Sequence, residues 1–280
     1  MMRGSTAMAV AVRRPDGSIA ARSERLHGVF TGPLRHVPLL RGVLVLFETL
    51  ALGMRALTWS AAVASNQVDE HGEARRLTTV DWLLLLGAFG FGVGVFFVGP
   101  VLVTVWLDRV LPAPWMSLLI EGVLRLALLL VYIWGMGRTS DIRRVFQYHG
   151  AEHMTIFAYE DGRELNVPAI RRYPKEHPRC GTSFLLTVAL VAMVVFAFAG
   201  TSPLWWRLAS RLVLVPIVAA LSYEAIRFAG FHQRWPLVRW LFAGNLALQK
   251  LTTRAPDDEQ IQVAIAALQR VRDEERVVVG

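Results

Sequence analysis

The stretch VDWLLLLGAFGFGVGVFFVGPVLVTVWL, residues 80–107, decides the fold class of this chain. About 20 consecutive apolar residues are enough to cross the hydrocarbon core of a bilayer. Trp82 and Trp106 stand near the two ends of the stretch, where aromatic residues are enriched at membrane interfaces. We therefore predict that residues 80–107 form a first transmembrane helix.

The composition of the whole chain points to the same class. Of its 280 residues, 54% are hydrophobic and 19% are charged, which is too apolar for an ordinary soluble domain of this length. The net charge of +8 reports first on topology, because cytoplasmic loops retain Lys and Arg, and no nucleic-acid partner is expected. Cys180 is the single cysteine, so an intrachain disulfide is excluded.

Three further apolar stretches follow the first, at residues 116–137, 181–200 and 204–229. Each is long enough to be read as a membrane helix. Glu121 and Arg125 lie one helical turn apart with the acid first, and we expect them to form an ion pair inside the bundle. The prediction is an all-α integral membrane bundle with about four transmembrane helices.

The two ends of the chain carry signals of other elements. Residues 9–30 alternate apolar and polar side chains around a Pro-Asp-Gly turn, which predicts a small β-hairpin within an N-terminal cytoplasmic segment, residues 1–36. Residues 254–280 are predicted to form a C-terminal cytoplasmic helix, because Asp257 and Gln260 have the spacing of a capping box. Four apolar residues then recur on one face of this helix: Ile261, Ala264, Ile265 and Leu268.

Residues 37–64 are mostly apolar but carry Arg41, Glu48 and Arg55, which are seven residues apart and share one helix face. A charge near the bilayer centre costs about 2.5 to 3.5 kcal/mol, so three of them disfavour a span. We predict an amphipathic or re-entrant helix at the membrane surface, and a second interfacial helix over residues 231–251.

Lys and Arg are abundant in the N-terminal part, in residues 138–180 and in the C-terminal part, and scarce in residues 108–115 and 201–206. Four spans with both termini in the cytoplasm satisfy this distribution. Residues 138–181, an insertion in the membrane bundle of residues 80–253, are then expected on the cytoplasmic side.

The sequence QYHGAEH, residues 147–153, lies in this insertion. If residues 141–159 are helical, His149 and His153 project from one face, at the spacing with which two histidines bind one metal ion. Glu152 lies beside the pair, where a general base for metal-assisted hydrolysis would act.

His177 and Cys180 form a second candidate pair of ligands, and neutral His with thiolate suits Zn²⁺ or another divalent transition metal. An ion held by all four side chains would be closed off and structural, whereas three protein ligands and a water would make a catalytic site. A third alternative is that these histidines are interfacial side chains that bind no metal.

The order His-x-x-Glu-His is also that of the inverzincin proteases, whose third ligand is a distant downstream Glu. Glu224 can take that part in this sequence. Beyond the local pattern there is no similarity to those soluble proteases, so proteolysis is not inferred.

Several motifs are distributed along the chain: YHGAEH (148–153), HPRCGTSF (177–184), Tyr223-Glu224, and Leu251-Thr252-Thr253 followed by Pro256 and Asp257. Together they resemble the DUF1385 family of bacterial YqhQ-like membrane proteins, and the resemblance runs nearly end to end. It implies a metal-dependent protein of the bacterial cytoplasmic (inner) membrane whose substrate is unknown.

Two hypotheses from different classes follow. The leading one is a cytoplasm-facing, membrane-embedded metalloenzyme, with zinc as the favoured metal, that hydrolyses a lipid-linked or membrane-protein substrate. Glu152 would be the base, and the candidate metal ligands are His149, His153, His177, Cys180 and Glu224. The alternative is a non-enzymatic scaffold or transporter with a structural metal site, which with four spans would have to form a homo-oligomer to transport anything.

Overall fold

The computed structural model of this chain describes residues 1–26, 32, 37–66, 78–177, 180–232 and 235–279. Most of these residues are helical. The helices are α1 (Leu40–Ala64), α2 (Thr79–Val93), α3 (Gly99–Leu107), α4 (Pro114–Met136), α5 (Ser140–Glu160), α6 (Val167–Ile170), α7 (Ser183–Ala199), α8 (Leu204–Val213), α9 (Val215–Phe231), α10 (Pro236–Thr252) and α11 (Asp258–Val279). A π-helical segment, Gly94–Val98, joins α2 to α3.

The chain divides into two compact units. The first unit comprises Met1–Arg76, Gly137–Cys180 and Gln249–Gly280, and the second comprises Leu77–Met136 and Gly181–Leu248. The first unit is therefore assembled from three separate segments of the sequence.

A three-stranded antiparallel sheet begins the first unit. Its strands are β1 (Met2–Arg3), β2 (Ala7–Arg13) and β3 (Ile19–Arg25), in the order β1-β2-β3. Gly17 adopts a φ of 86° in the turn between β2 and β3, a conformation that glycine reaches without steric cost. The predicted hairpin is thereby confirmed and extended by β1, although part of its predicted range, residues 27–30, lies outside the described residues.

The sheet is covered on both sides because successive residues of β2 point to opposite faces. On one face Ala9 packs in a core with buried residues of α5 and α11. On the other face Met8, Val10 and Val12 pack against α1 through Leu52, Ala56, Trp59 and Val63.

The C-terminal helix α11 begins as the sequence predicts. The Asp257 side chain accepts a hydrogen bond from the Gln260 N–H at 2.8 Å, and the Gln260 side chain accepts one from the Asp257 N–H at 3.0 Å. This reciprocal capping box satisfies two backbone donors at the helix start. The predicted apolar stripe is buried at Ile261, Ala264 and Leu268.

The second unit holds the candidate membrane spans. The helical stretches Thr79–Leu107 and Pro114–Met136 are long and apolar enough to cross a membrane. Helices α8 and α9 reach that length only together, and the chain bends by 48° between them. The described residues thus contain two candidate spans, or three if the bent pair is one span, where the sequence predicts four.

Two local causes account for this lower number. Helix α7 has 17 residues and is about 25 Å long, which is shorter than the hydrocarbon core of about 30 Å. Pro216 stands at the start of α9, where it has no N–H to donate to the Leu212 carbonyl and its ring clashes there, so the chain bends between α8 and α9.

The predicted ion pair in the second unit is confirmed and belongs to a larger network. Arg125 Nη2 lies 3.0 Å from Glu121 Oε1. Arg211 donates to both carboxylate oxygens of Glu121, at 2.8 and 3.0 Å, and Arg207 Nε donates to Oε2 at 3.2 Å. Arg207 also reaches Asp108 at 2.8 Å. One fully buried carboxylate therefore receives three guanidinium groups.

The π-helical segment is tied into the same network. In an α-helix the Phe96 carbonyl would accept the N–H of residue 100, but that residue is Pro100 and has no N–H. Arg125 Nε donates to the Phe96 carbonyl instead, at 3.0 Å. The side chain that pairs with Glu121 thus also satisfies a backbone acceptor left free by proline.

We expect Glu121→Gln to lower the apparent melting temperature of the detergent-purified protein strongly, because three buried guanidinium groups would lose their shared anion. Breaking a buried ion pair by removing one partner costs about 3–5 kcal/mol. The control is Asp108→Asn, since the Asp108 side chain is 39% exposed and pairs with one arginine, Arg207, among the described residues. Equal melting temperatures for the two variants would contradict the central role of Glu121.

Candidate metal centre

Helix α5 presents the two histidines of the predicted pair on one face. It covers Ser140–Glu160, which meets the condition that residues 141–159 be helical, and its residues 149 and 153 are one turn apart. The ring centroids of His149 and His153 are 4.3 Å apart. His153 is buried and His149 is half-buried.

Both imidazole rings are oriented by backbone carbonyl groups. His149 Nδ1 lies 2.9 Å from the Thr252 carbonyl oxygen, and His153 Nδ1 lies 2.6 Å from the Lys175 carbonyl oxygen. A carbonyl oxygen only accepts hydrogen bonds, so in each neutral ring Nδ1 carries the proton and Nε2 keeps its lone pair. This hydrogen bond at the far nitrogen is the usual arrangement of histidines that bind metals.

Cys180 brings a sulfur atom to the same place. Its Sγ lies 3.2 Å from His149 Nε2, and one ligand atom each from His149, His153 and Cys180 lie within 4.8 Å of one another. Two ligands of one tetrahedral zinc ion stand roughly 3.3–3.8 Å apart, given bond lengths of about 2.0–2.3 Å. Two imidazoles and one thiolate that converge in this way form a donor set that fits Zn²⁺ after a small closing movement.

A glycine lets the chain that supplies the Thr252 carbonyl approach α5. A Cβ atom at Gly150 would stand 2.3 Å from the Arg254 carbonyl oxygen. The Arg254 N–H also donates to the Phe146 carbonyl at 2.9 Å. The segment after α10 is thereby held against α5 beside the first histidine.

A buried glutamine fixes the loop that supplies the other two groups. Gln249 Oε1 accepts the His177 N–H at 2.8 Å, and Gln249 Nε2 donates to the His177 carbonyl at 2.9 Å. The Cys180 N–H donates to that carbonyl as well, at 3.2 Å. Gln249 therefore fixes the backbone of His177, which lies between Lys175 and Cys180 in the sequence.

The electrostatics of the centre favour a positive charge. Burial acts to lower the pKa of the His149 imidazole. The Cys180 side chain and the Thr252 carbonyl act in the opposite direction, with a smaller contribution from the Glu152 carboxylate, so that the pKa is raised overall. A proton and a metal ion would compete for Nε2 of this ring, because an imidazole must be neutral to bind a metal.

The remaining predicted residues occupy different positions. His177 is buried beside the three converging side chains, with its ring centroid 5.8 Å from that of His153 and its Nε2 3.5 Å from Glu160 Oε2. Glu152 is half-buried on α5, and its Oε2 lies 3.6 Å from the Met1 amino nitrogen. Glu224 belongs to α9 of the second unit, and its part as a ligand stays a prediction.

Three residues of the centre are not identified by the sequence reasoning: Lys175, Gln249 and Thr252. Lys175 and Thr252 act through carbonyl oxygens, which every residue type carries, so side-chain chemistry gives no signal for them. Gln249 acts through an amide that pairs with the backbone at a distance of 72 residues. Thr252 does fall within one of the motifs that resemble the DUF1385 family.

Comparisons with known proteins add a family but no activity. The model of a family described as a protein of unknown function, DUF1385, matches residues 37–274. A Bacillus subtilis (strain 168) protein described as uncharacterized protein YqhQ is 33% identical over 275 residues, which cover 95% of this chain and 86% of that protein. No solved structure matches.

We expect Gly150→Ala to destabilise the first unit, because the new methyl group would collide with the Arg254 carbonyl. Gly53→Ala on α1 is the matched control, since a Cβ there meets nothing within 4 Å. Replacing glycine by alanine in a helix interior normally stabilises it by about 0.5–1 kcal/mol, so the two variants should change the melting temperature in opposite directions. A stabilising effect of Gly150→Ala would contradict the close approach.

Proposed function

The chain belongs to the DUF1385 family, and we propose that it is a membrane protein that binds one Zn²⁺, or another divalent transition metal, and uses it in hydrolysis. One observation carries the proposal. The two Nδ1–carbonyl hydrogen bonds of His149 and His153 leave both Nε2 atoms available next to the Cys180 thiol.

The number of converging donors supports a catalytic rather than a closed site. Catalytic zinc sites combine three protein ligands with one position for water or substrate, whereas structural sites have four. His149, His153 and Cys180 supply three donors, whereas His177 Nε2 lies 3.5 Å from Glu160 Oε2 and the His177 backbone pairs with Gln249. A zinc ion bound here would supply Lewis acidity and activate water for attack.

Glu152 is proposed as the general base. It directly precedes His153 on α5, it is half-exposed, and its charge is felt at His149, whose pKa it helps to raise. A carboxylate in this place can accept a proton from an attacking water and deliver it to a leaving group.

The finer topology belongs to the same proposal. Four spans with both termini in the cytoplasm would place residues 138–181 at the cytoplasmic face, because the Lys and Arg residues lie mainly on that side. The bent pair α8 and α9 would be one span and the short α7 another. A site at that membrane face suits a lipid-linked or membrane-protein substrate.

A second candidate function is a non-enzymatic scaffold or transporter with a structural metal. It is favoured by the buried network of Glu121 with Arg125, Arg207 and Arg211, since ionisable groups inside membrane bundles often mark a pathway. In that case His177 would complete a four-ligand site, and Glu152 would have no chemical task.

We expect the purified protein to contain about one equivalent of zinc or of another transition metal by mass spectrometry of the metal. His149→Ala, His153→Ala and Cys180→Ser should each lose most of it, because each removes one of three converging donors. The Co²⁺-loaded protein should show a thiolate charge-transfer band that Cys180→Ser abolishes. His232→Ala, which changes a histidine of the second unit, should keep full metal content, and a metal-free wild-type protein would overturn the proposal.

Glu152→Gln separates the enzyme from the scaffold. The variant should keep its metal and its melting temperature. It should fail to correct the growth defect of a strain that lacks the gene. Removal of a general base typically costs a factor of about 10²–10⁴ in rate. Full complementation by a metal-loaded Glu152→Gln protein would favour the scaffold or transporter.

A further inference from the structure

Helix α1 has two apolar faces, and among the described residues only one of them is covered by the protein. Leu52, Ala56 and Trp59 are buried against the sheet. The opposite face carries large apolar side chains that are half or more exposed: Phe47 (60%), Leu50 (60%), Met54 (50%) and Leu57 (65%). With about 3.6 residues per turn these four fall within an arc of about 80° and form one continuous stripe.

The charged residues of α1, namely Arg41, Glu48 and Arg55, share one helix face that borders the stripe without interrupting it. Glu48 is buried and accepts a hydrogen bond from Arg3 Nη2 of β1 at 2.7 Å. Arg55 forms an ion pair with Glu24 of β3. The polar side of α1 therefore faces the sheet, whereas the polar side of an ordinary amphipathic helix faces water. The stripe on the outward side of α1 contains no charged residue.

We propose that the outward face of α1 lies in the lipid bilayer, with the helix parallel to the membrane surface and the sheet on its aqueous side. The stripe contacts lipid at the boundary between the headgroups and the acyl chains of the cytoplasmic leaflet. The proposal rests on the exposed stripe and its charge pattern, and it does not depend on the metal centre.

Three observations favour lipid over a second protein. The same chain has helices long enough to cross a bilayer, and α1 ends only 15 positions before the first of them begins at Thr79, so lipid is within reach. Protein interfaces mix apolar side chains with polar and hydrogen-bonding groups, whereas the stripe consists of Phe, Leu and Met alone. Arg55 lies on its flank with its side chain 59% exposed, where a cation can reach anionic headgroups.

A surface helix in this orientation fixes the height of the first unit. The sheet, α5 and α11 pack in one core, and α1 packs on the same sheet from the other side. The first unit is then held at headgroup level instead of hanging free in the cytoplasm.

Photo-crosslinking of the full-length chain tests this placement. Benzoylphenylalanine is introduced at Leu50 or at Met54, and at Ser18 of the exposed hairpin turn as the matched control. The protein is reconstituted in vesicles of phosphatidylethanolamine and phosphatidylglycerol, irradiated, and analysed by mass spectrometry. We expect phospholipid adducts at Leu50 and Met54 at least tenfold above those at Ser18.

Each other outcome overturns the proposal. Covalent dimers would assign the stripe to a second copy of this chain, and crosslinks to other residues of the chain would assign it to internal packing. Adducts no more frequent than at Ser18 would leave the stripe in water.

A second measurement covers the case in which the bulky label disturbs folding. In Leu50→Trp, the added fluorescence should be quenched by brominated phospholipid at least twofold more than that of Ser18→Trp. Equal quenching of the two added tryptophans would overturn the proposal independently.

Discussion

Two hydrogen bonds from imidazole to backbone hold the candidate metal centre, and the rest of the first unit can be understood from them. For Lys175 to offer its carbonyl to His153, the nearby backbone must be fixed, and Gln249 does this by pairing with the backbone of His177. For Thr252 to offer its carbonyl to His149, the end of α10 must lie against α5. Only a residue without a side chain at position 150 permits that approach. The ligands are thus oriented by main-chain geometry, which is less easily disturbed than contacts between flexible side chains.

In the second unit, hydrogen bonds from side chains satisfy both backbone carbonyl groups and buried charges. Its helices contain prolines that leave backbone carbonyl groups without a donor, and its interior contains charges that need partners. The guanidinium group of Arg125 pairs with the Glu121 carboxylate and also donates a hydrogen bond to the Phe96 carbonyl. Arg207 and Arg211 complete the surroundings of the same carboxylate. A guanidinium group has five donors in one plane, which explains why arginine and not lysine serves here.

Local features of the structure were accessible from the sequence, and features that depend on distant partners were not. The capping box at Asp257, the hairpin turn at Gly17 and the pairing of Glu121 with Arg125 all follow from spacings of a few residues. Arg207 and Arg211 could not be assigned to Glu121, because they are 86 and 90 residues away and nothing in their own neighbourhood indicates a partner. The carbonyl groups beside the histidines carry no residue signature at all. Of the four predicted spans, the described residues show two directly, and hydropathy registers neither the bend at Pro216 nor the shortness of α7 in the other two.

The discontinuity of the first unit has a consequence for how the protein is made. Its sheet comes from the beginning of the chain, its histidines from the middle, and both the Thr252 carbonyl and the helix that covers the sheet from residues 249–280. The ribosome therefore delivers all of the second unit, with its candidate spans, before the last piece of the first unit exists. Until α11 has been synthesised, the apolar faces of the hairpin and of α5 that it covers remain exposed. The centre can reach its final geometry only after residues 181–248, which belong to the second unit with its candidate spans, have been made.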